Sequence, residues 1–360
     1  MKFLLSGVIV FQGLIQLICY FNTNDIDHVV RMSQGISMSH GEVWLIAAMC
    51  FFAAALLLMV ESTQWIGLGF AAVVASQFLI IINWSEIKYG TIPNIIIMIA
   101  IVLCLGSCFF EEAYRKDIIY NLNYNNSLST DVLTEQDLAE LPAPVGRYLK
   151  YAGVVGKPKV KNFRIVFNGE MRDKGQEYFS FTSEQYNFIQ NPARLFFMKG
   201  RMFGITVPGY HKYLDRKASM DIRIFGMFPV IKLSGEVMDK AETVTLFNDM
   251  CFFSPASLID DRIQWETIDD RTVKAMFTNQ GISITATLFF NQKGQMINFI
   301  SNDRTAVSDM KQYPFITPVS EYRDMNGINL PTYGEAIWRY PDGDFTYGRF
   351  RLQEIEYNLE

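Results

Sequence analysis

Residues 51–60 read FFAAALLLMV, ten consecutive positions with no polar side chain. A helix of a water-soluble protein carries a polar face with a period of 3.6 residues, and this run has none. The run lies within a longer apolar stretch, Val43 to Val60. Three more of the same kind accompany it: Lys2 to Phe21, Ile66 to Ile82 and Ile92 to Phe110. Each holds about 17–20 residues, the length a helix needs to cross ~30 Å of hydrocarbon. The first third of the chain therefore reads as four transmembrane helices. A cleaved signal peptide fits the first stretch poorly, because no small-x-small site follows at Tyr20, Phe21 and Asn22. A lipoprotein signal at Cys19 would want a small residue where Ile18 stands.

Charge divides the chain at the same place. Residues 1–110 hold three of the 32 basic and five of the 37 acidic residues, leaving 29 and 32 to residues 111–360. Neither part is strongly basic, which argues against a nucleic-acid partner. Within the apolar helices Gln12, Gln16, Ser76 and Gln77 are expected to tie helix to helix by hydrogen bonds. Gly67-Leu-Gly69 imitates a dinucleotide fingerprint but follows no strand. Cys104 and Cys108 lie one turn apart, a spacing open to redox or metal chemistry. In apolar surroundings such thiols usually act as small inert hydrophobes. For orientation, Lys2, Arg115 and Lys116 lie on one side of the four crossings, and Arg31 and Lys88 on the other. Three against two places both ends in the cytoplasm.

The segment Trp84-Ser-Glu-Ile-Lys-Tyr-Gly-Thr-Ile-Pro-Asn94 joins the third and fourth helices. Trp84, Lys88 and Tyr89 are residue types of a bilayer interface, Gly90 can take a left-handed turn, and Asn94 can order a helix start. On this W-S-E-x-K-Y-G-T-x-x-N string, residues 1–115 resemble the DoxX-like four-helix membrane proteins. The resemblance implies a four-helix bundle with both ends cytoplasmic. It also implies a place in the bacterial inner membrane, where some relatives accompany redox enzymes working near quinones.

After a polar stretch, 116–135, that reads as a linker, Leu138 to Lys150 reads as helical, punctuated by Pro142 and Pro144. The period then changes to two: Phe163, Ile165 and Phe167 alternate with Arg164, Val166 and Asn168. Strand-like segments continue to Tyr357. They are interrupted by a helical spacing from Val237 to Met250 and a second short helix over Ser254 to Leu258. Asn291-Gln-Lys-Gly294 and Asn326-Gly327 are hairpin turn signals. About a dozen antiparallel strands with one helical insertion predict an α+β unit over 136–360. Its sheet would be one large curved antiparallel sheet or open barrel, which must close, be covered or cradle something.

The strings LPAPVGRYLKYAGVVG (141–156), FTSEQY (181–186), FGMFPV (225–230), PTYGEAIW (331–338) and EIEYN (354–358) resemble an uncharacterised bacterial family, the domain of unknown function numbered 6544/6920. That family brings no assigned catalytic residues. The sheet-plus-helix pattern is also similar, by fold analogy alone, to the lipoprotein-carrier (LolA/LolB-like) folds.

No nucleophile–base pair, Walker loop or metal-ligand spacing is present, so neither a catalytic nor a metal site is read from the sequence, and no cofactor is expected. The β-rich part has one histidine, His211, and one cysteine, Cys251. Carboxylates are plentiful (Glu184, Glu236, Asp239, Glu266, Glu321, Glu335), but their convergence is not visible. Glu184 and Gln185 come first as candidate ligand-binding residues, being polar amid apolar strands. Tyr186 and Arg201 come next, with Phe197 and Phe289 as candidate walls of an apolar cavity. Two functions compete. One is a non-catalytic, membrane-anchored binding protein that holds an apolar or lipid-like ligand in its sheet. The other is an accessory subunit or enzyme of membrane redox chemistry near quinone.

Overall fold

The computed structural model describes residues 2–30, 40–124, 131–202 and 204–360. Within them the chain divides into two compact units, Met1–Phe110 and Glu111–Glu360.

The first unit is helical: α1 (Lys2–Val30), α2 (His40–Met59), α3 (Trp65–Ile82), the short α4 (Trp84–Ile87) and the start of α5 (Thr91–Tyr124). Four of its helices are long and apolar enough to cross a membrane. Apolar side chains such as Phe3, Phe11, Ile18, Leu56, Phe78 and Ile81 cover the outside, while Gln12, Gln16, Ser76 and Asn94 are buried. Gln12 Nε2 donates to Asn94 Oδ1 at 2.9 Å, Ser76 Oγ at 3.1 Å and Gly90 O at 3.2 Å, and Gln16 Nε2 donates to Ser76 Oγ at 2.9 Å. The polar residues do tie the helices together, as their rarity in apolar helices suggests. Gly90 corrects one expectation. It lies in a 3-10 turn with ordinary φ, and its role is spatial: a Cβ there would stand 3.0 Å from Ile80 Cδ1. Asn94 is likewise more than a helix start, since its Nδ2 also reaches Ser76 and Gln77. Arg31, used above for orientation, lies outside the described residues, as does the segment 125–130 of the expected linker. Residues 116–124 of that linker are helical and complete α5.

The second unit is built on strands β1 (Asn162–Met171), β2 (Phe179–Phe188), β3 (Ala193–Met202), β4 (Ile205–Leu214), β5 (Lys217–Ile224) and β6 (Phe228–Ser234). After the insertion come β7 (Ile263–Asp269), β8 (Thr272–Asn279), β9 (Ile282–Phe290), β10 (Met296–Ser301), β11 (Thr305–Ala306) and β12 (Lys311–Gln312). The last are β13 (Phe315–Met325), β14 (Ile328–Tyr340) and β15 (Gly343–Tyr357). Thirteen of them form one antiparallel sheet in the order β6-β5-β4-β3-β2-β1-β15-β14-β13-β10-β9-β8-β7. Closing the order through β1 and β15 puts the chain's first and last strands at the centre, so each hairpin run extends one arm.

The sheet is open at β6 and β7. Accumulated twist and bulges in the β1/β15, β5/β6 and β14/β15 pairs curve it. The insertion α7 (Glu236–Phe253) fills the concavity. It touches β5 and β6 of one arm, β9 and β10 of the other, and β14 between them. The shorter α6 (Ala143–Ala152) stops where Gly153 turns left-handed (φ 73°), and its Tyr148 Oη donates to Cys251 O at 3.0 Å. At that end the core is solid. Phe247 of α7 stacks on Phe277 at 5.1 Å and leans on Phe299 at 5.9 Å, and all three are fully buried.

Candidate functional site

Strand alternation decides which side chains meet α7. On β1 Phe163, Ile165 and Phe167 turn inward, and on β3 Arg194, Phe196, Met198 and Gly200 do. Phe163 and Ile165 are packed under the helices. Further along the same strands, toward the β1–β2 and β14–β15 turns, the inner faces of β1–β6 and β13–β15 diverge from α7. They leave a partly open cavity of about 610 Å³. Its wall is mostly apolar: Phe167, Phe196, Met198, Met220, Phe315 and Trp338 are among the lining residues.

One side of the cavity is a buried polar cluster. Arg194 Nε donates to Asp249 Oδ2 at 2.7 Å, its Nη1 to Glu242 Oε2 at 3.1 Å and its Nη2 to Gln185 Oε1 at 3.1 Å. Asp249 Oδ2 also accepts from Gln185 Nε2 at 2.8 Å and Asn187 Nδ2 at 3.1 Å. His211 Nδ1 stands 3.9 Å from Glu242 Oε1, too far for a hydrogen bond. All but His211 are buried. Burial alone would raise the Glu242 carboxyl, but the Arg194 charge, with His211 and Arg304, outweighs it and holds the group down at about 2. Burial works against the Arg194 cation, and the two carboxylates more than restore it, so its pKa is raised. Arg194 and Glu242 are thus held as ions and are satisfied by the hydrogen bonds of the cluster, as a buried charge must be.

Of the candidate residues, Gln185 lines this cavity; Glu184, Tyr186, Phe197, Arg201 and Phe289 do not. Side chains reverse face at every step along a strand, so the neighbours of inward residues point outward. Glu184 accepts from Arg164 Nε at 2.8 Å on the outer face, with Tyr186 beside it. Phe197 stacks on Tyr114 of α5 at 5.2 Å, and Tyr114 Oη donates to Glu184 O at 3.1 Å. Arg201 is exposed on the same face. Phe289 is half-buried on β9, next to the inward Phe290. The outer face of β2–β4 carries the last turns of α5: Lys212 Nζ pairs with Asp117 at 2.8 Å and Lys199 Nζ with Glu111 at 2.6 Å.

Sequence reading missed Arg194, Glu242 and Asp249. A signal was present. Glu242 and Asp249 are seven residues apart on α7, two turns along one face, and that face also carries the buried Met238 and Phe252. Carboxylates on a buried helix face require a cation, and Arg194 is the basic residue within the apolar run ARLFFM. Among the described residues no group of three or more His, Cys, Asp or Glu could hold a metal ion.

No curated protein matches this chain. Among solved structures it is similar to a LolA superfamily protein from Nitrosomonas europaea, at 10% identity over 59% of this chain and 93% of that one, with a TM-score of 0.36. It is also similar to a domain assigned to outer membrane lipoprotein sorting from Vibrio parahaemolyticus, at 6% identity over 55% and 87%, with a TM-score of 0.34. Likenesses at this level carry no argument about the site. The model of the family of unknown function DUF6544 matches residues 131–350, more than half of the chain and nearly all of the strands that build the cavity. The chain belongs to the DUF6544 family.

Proposed function

We propose that this protein is a membrane-anchored, non-catalytic binding protein whose sheet unit holds an apolar or lipid-like molecule between α7 and the inner face. The observation that carries the reading is the cavity of about 610 Å³ with its apolar wall. That volume is in the range of small-molecule sites, ~300–1,000 Å³. A buried methylene is worth about 0.8 kcal/mol. Roughly a dozen therefore supply on the order of 10 kcal/mol, comparable with the ~4–15 kcal/mol cost of association. The polar groups of the cavity support binding over chemistry. A general base works best with a pKa near the operating pH. Glu242 sits far below that, and Asp249 already accepts three hydrogen bonds on one oxygen.

In the same reading, residues 1–115 are a DoxX-like bundle crossing the bacterial inner membrane four times, with both ends cytoplasmic, and 136–360 are the ligand-holding unit. Four apolar helices, their outward apolar surface and their buried hydrogen-bonded glutamines support a lipid-embedded bundle.

The test is mass spectrometry of small molecules that stay with the full chain through extraction in mild detergent. Thr245→Trp serves as the comparison, because Thr245 of α7 lines the cavity without being fully buried. Wild type should retain an apolar organic molecule, and the indole should lower its amount at least fivefold without lowering the melting temperature. Equal amounts in both proteins would refute the cavity as the site.

A further inference from the structure

At the end of the cavity bounded by the β1–β2 and β14–β15 turns, two guanidinium groups enter the apolar wall. Arg172 Nε donates to Thr346 O at 3.2 Å, and its guanidinium lies 4.4 Å from the Tyr178 ring centre and 5.1 Å from that of Phe345. Arg304 Nη1 donates to Tyr347 Oη at 2.7 Å, and its guanidinium lies 4.1 Å from the Phe315 ring centre and 5.4 Å from that of Trp338. Both line the cavity and both are half-buried. Both are held on one short segment of β15, Arg172 by Phe345 and Thr346 and Arg304 by the next residue, Tyr347.

Their bonding differs from that of the other arginines nearby. Arg194 is saturated by carboxylates, and Arg349, which also lies over Tyr178, pairs with Glu170 at 2.7 Å. Arg172 and Arg304 form no ion pair with a carboxylate among the described residues. Arg304 acts on Glu242 only through space. A guanidinium has five N–H donors, and each of these side chains uses one nitrogen on the protein. Stacking on rings fixes the plane of the group and leaves its donors available. A planar fork of this kind matches a carboxylate or phosphate, with two parallel hydrogen bonds.

We propose that the ligand of this cavity is an anionic amphiphile, a single acyl chain along the apolar wall with its carboxylate or phosphate on Arg172 and Arg304. This rests on reading the cavity as a ligand site and adds the chemistry of the headgroup. Three of the four rings that carry the guanidiniums, Phe315, Trp338 and Phe345, are themselves cavity wall, so charge and apolar surface adjoin.

The test uses the full chain in amphipol and the binding of radiolabelled palmitate. Unlabelled palmitate, hexadecyl phosphate, methyl palmitate, inorganic phosphate and acetate serve as competitors. Palmitate and hexadecyl phosphate should compete at least about tenfold better than methyl palmitate, the margin of a charge-assisted pair. Arg172→Gln and Arg304→Gln should each weaken the two acids by about tenfold while leaving methyl palmitate within about twofold, and Arg304→Lys should recover most of the loss. The wild-type comparison of acid with ester holds even if a variant fails to fold. Equal competition by palmitate and its methyl ester would overturn the headgroup assignment and leave the apolar cavity standing. Failure of any sixteen-carbon compound to bind would overturn both. Displacement of palmitate by millimolar phosphate or acetate would mean that the guanidiniums take a free anion, and the amphiphile would be rejected.

Discussion

Arg194 lies between two carboxylates from the same helix and an amide from the neighbouring strand, and nearly all of this is out of water. Its ionisation has a thermodynamic consequence. Glu242 falls from the ordinary 4.5 to about 2 in the folded chain. A lowered carboxyl contributes stability that is complete above the unfolded value and is lost as pH falls through the folded one. Stability of the sheet unit should therefore decline from about pH 5 to about pH 2, by on the order of 3 kcal/mol from this group. Glu242→Gln should lower stability at pH 7 and flatten the acid limb, so that the two denaturation curves converge near pH 2. Parallel acid limbs in wild type and variant would show that Glu242 does not carry the linkage. Gln185 was legible because it breaks an apolar strand. Its partners were not, because Asp249 lies 64 residues away and convergence is a property of the sheet's curvature.

Along β3 the consequence of a single step is large. Met198 forms part of the cavity wall, while Phe197 stacks on Tyr114 outside it. That 194–202 forms a strand was legible in the sequence. Its phase was not, because both faces of β2–β4 are apolar: the inner one meets α7 and the cavity, the outer one meets the end of α5. Residues 116–124 hid part of this second partner behind an Asn-rich composition that suggests a linker. Yet Tyr114, Ile118 and Asn121 are buried at i, i+4 and i+7, the spacing of a helix face. Met198→Asp should reduce the retained apolar ligand by at least about tenfold, since an unpaired carboxylate in an apolar wall costs more than 1.4 kcal/mol. Phe197→Asp should leave retention unchanged and expose residues 111–124 to limited proteolysis. The reverse pairing of effects would place the ligand on the outer face. By contrast, the presence of the α7 insertion was legible, because a helical spacing interrupts a long run of period two.

For the molecule as a whole, the two units carry two styles of sequence. In Met1–Phe110 apolar side chains cover the outside as well as the core, and Gln12, Gln16, Ser76 and Asn94 are buried; in Glu111–Glu360 the order is the usual one. That contrast was visible in composition alone, because it depends on totals and not on convergence. Lys2 pairs with Glu61 at 2.9 Å, so the start of α1 and the turn after α2 lie at one end of the bundle. An even number of crossings returns the chain to the side on which it began, and basic residues near helix ends are retained in the cytoplasm. In the proposed four-crossing topology Lys2, Arg115 and Lys116 would fall on one side and Lys88, between α3 and α5, on the other. In a background with the five native cysteines replaced, a cysteine at Tyr89, which is well exposed, should react with an impermeant maleimide on intact spheroplasts. One at Glu135, also exposed, should react only after lysis. Labelling of position 135 from outside, with position 89 protected, would invert the orientation and place the sheet unit, with its cavity, on the far side of the membrane.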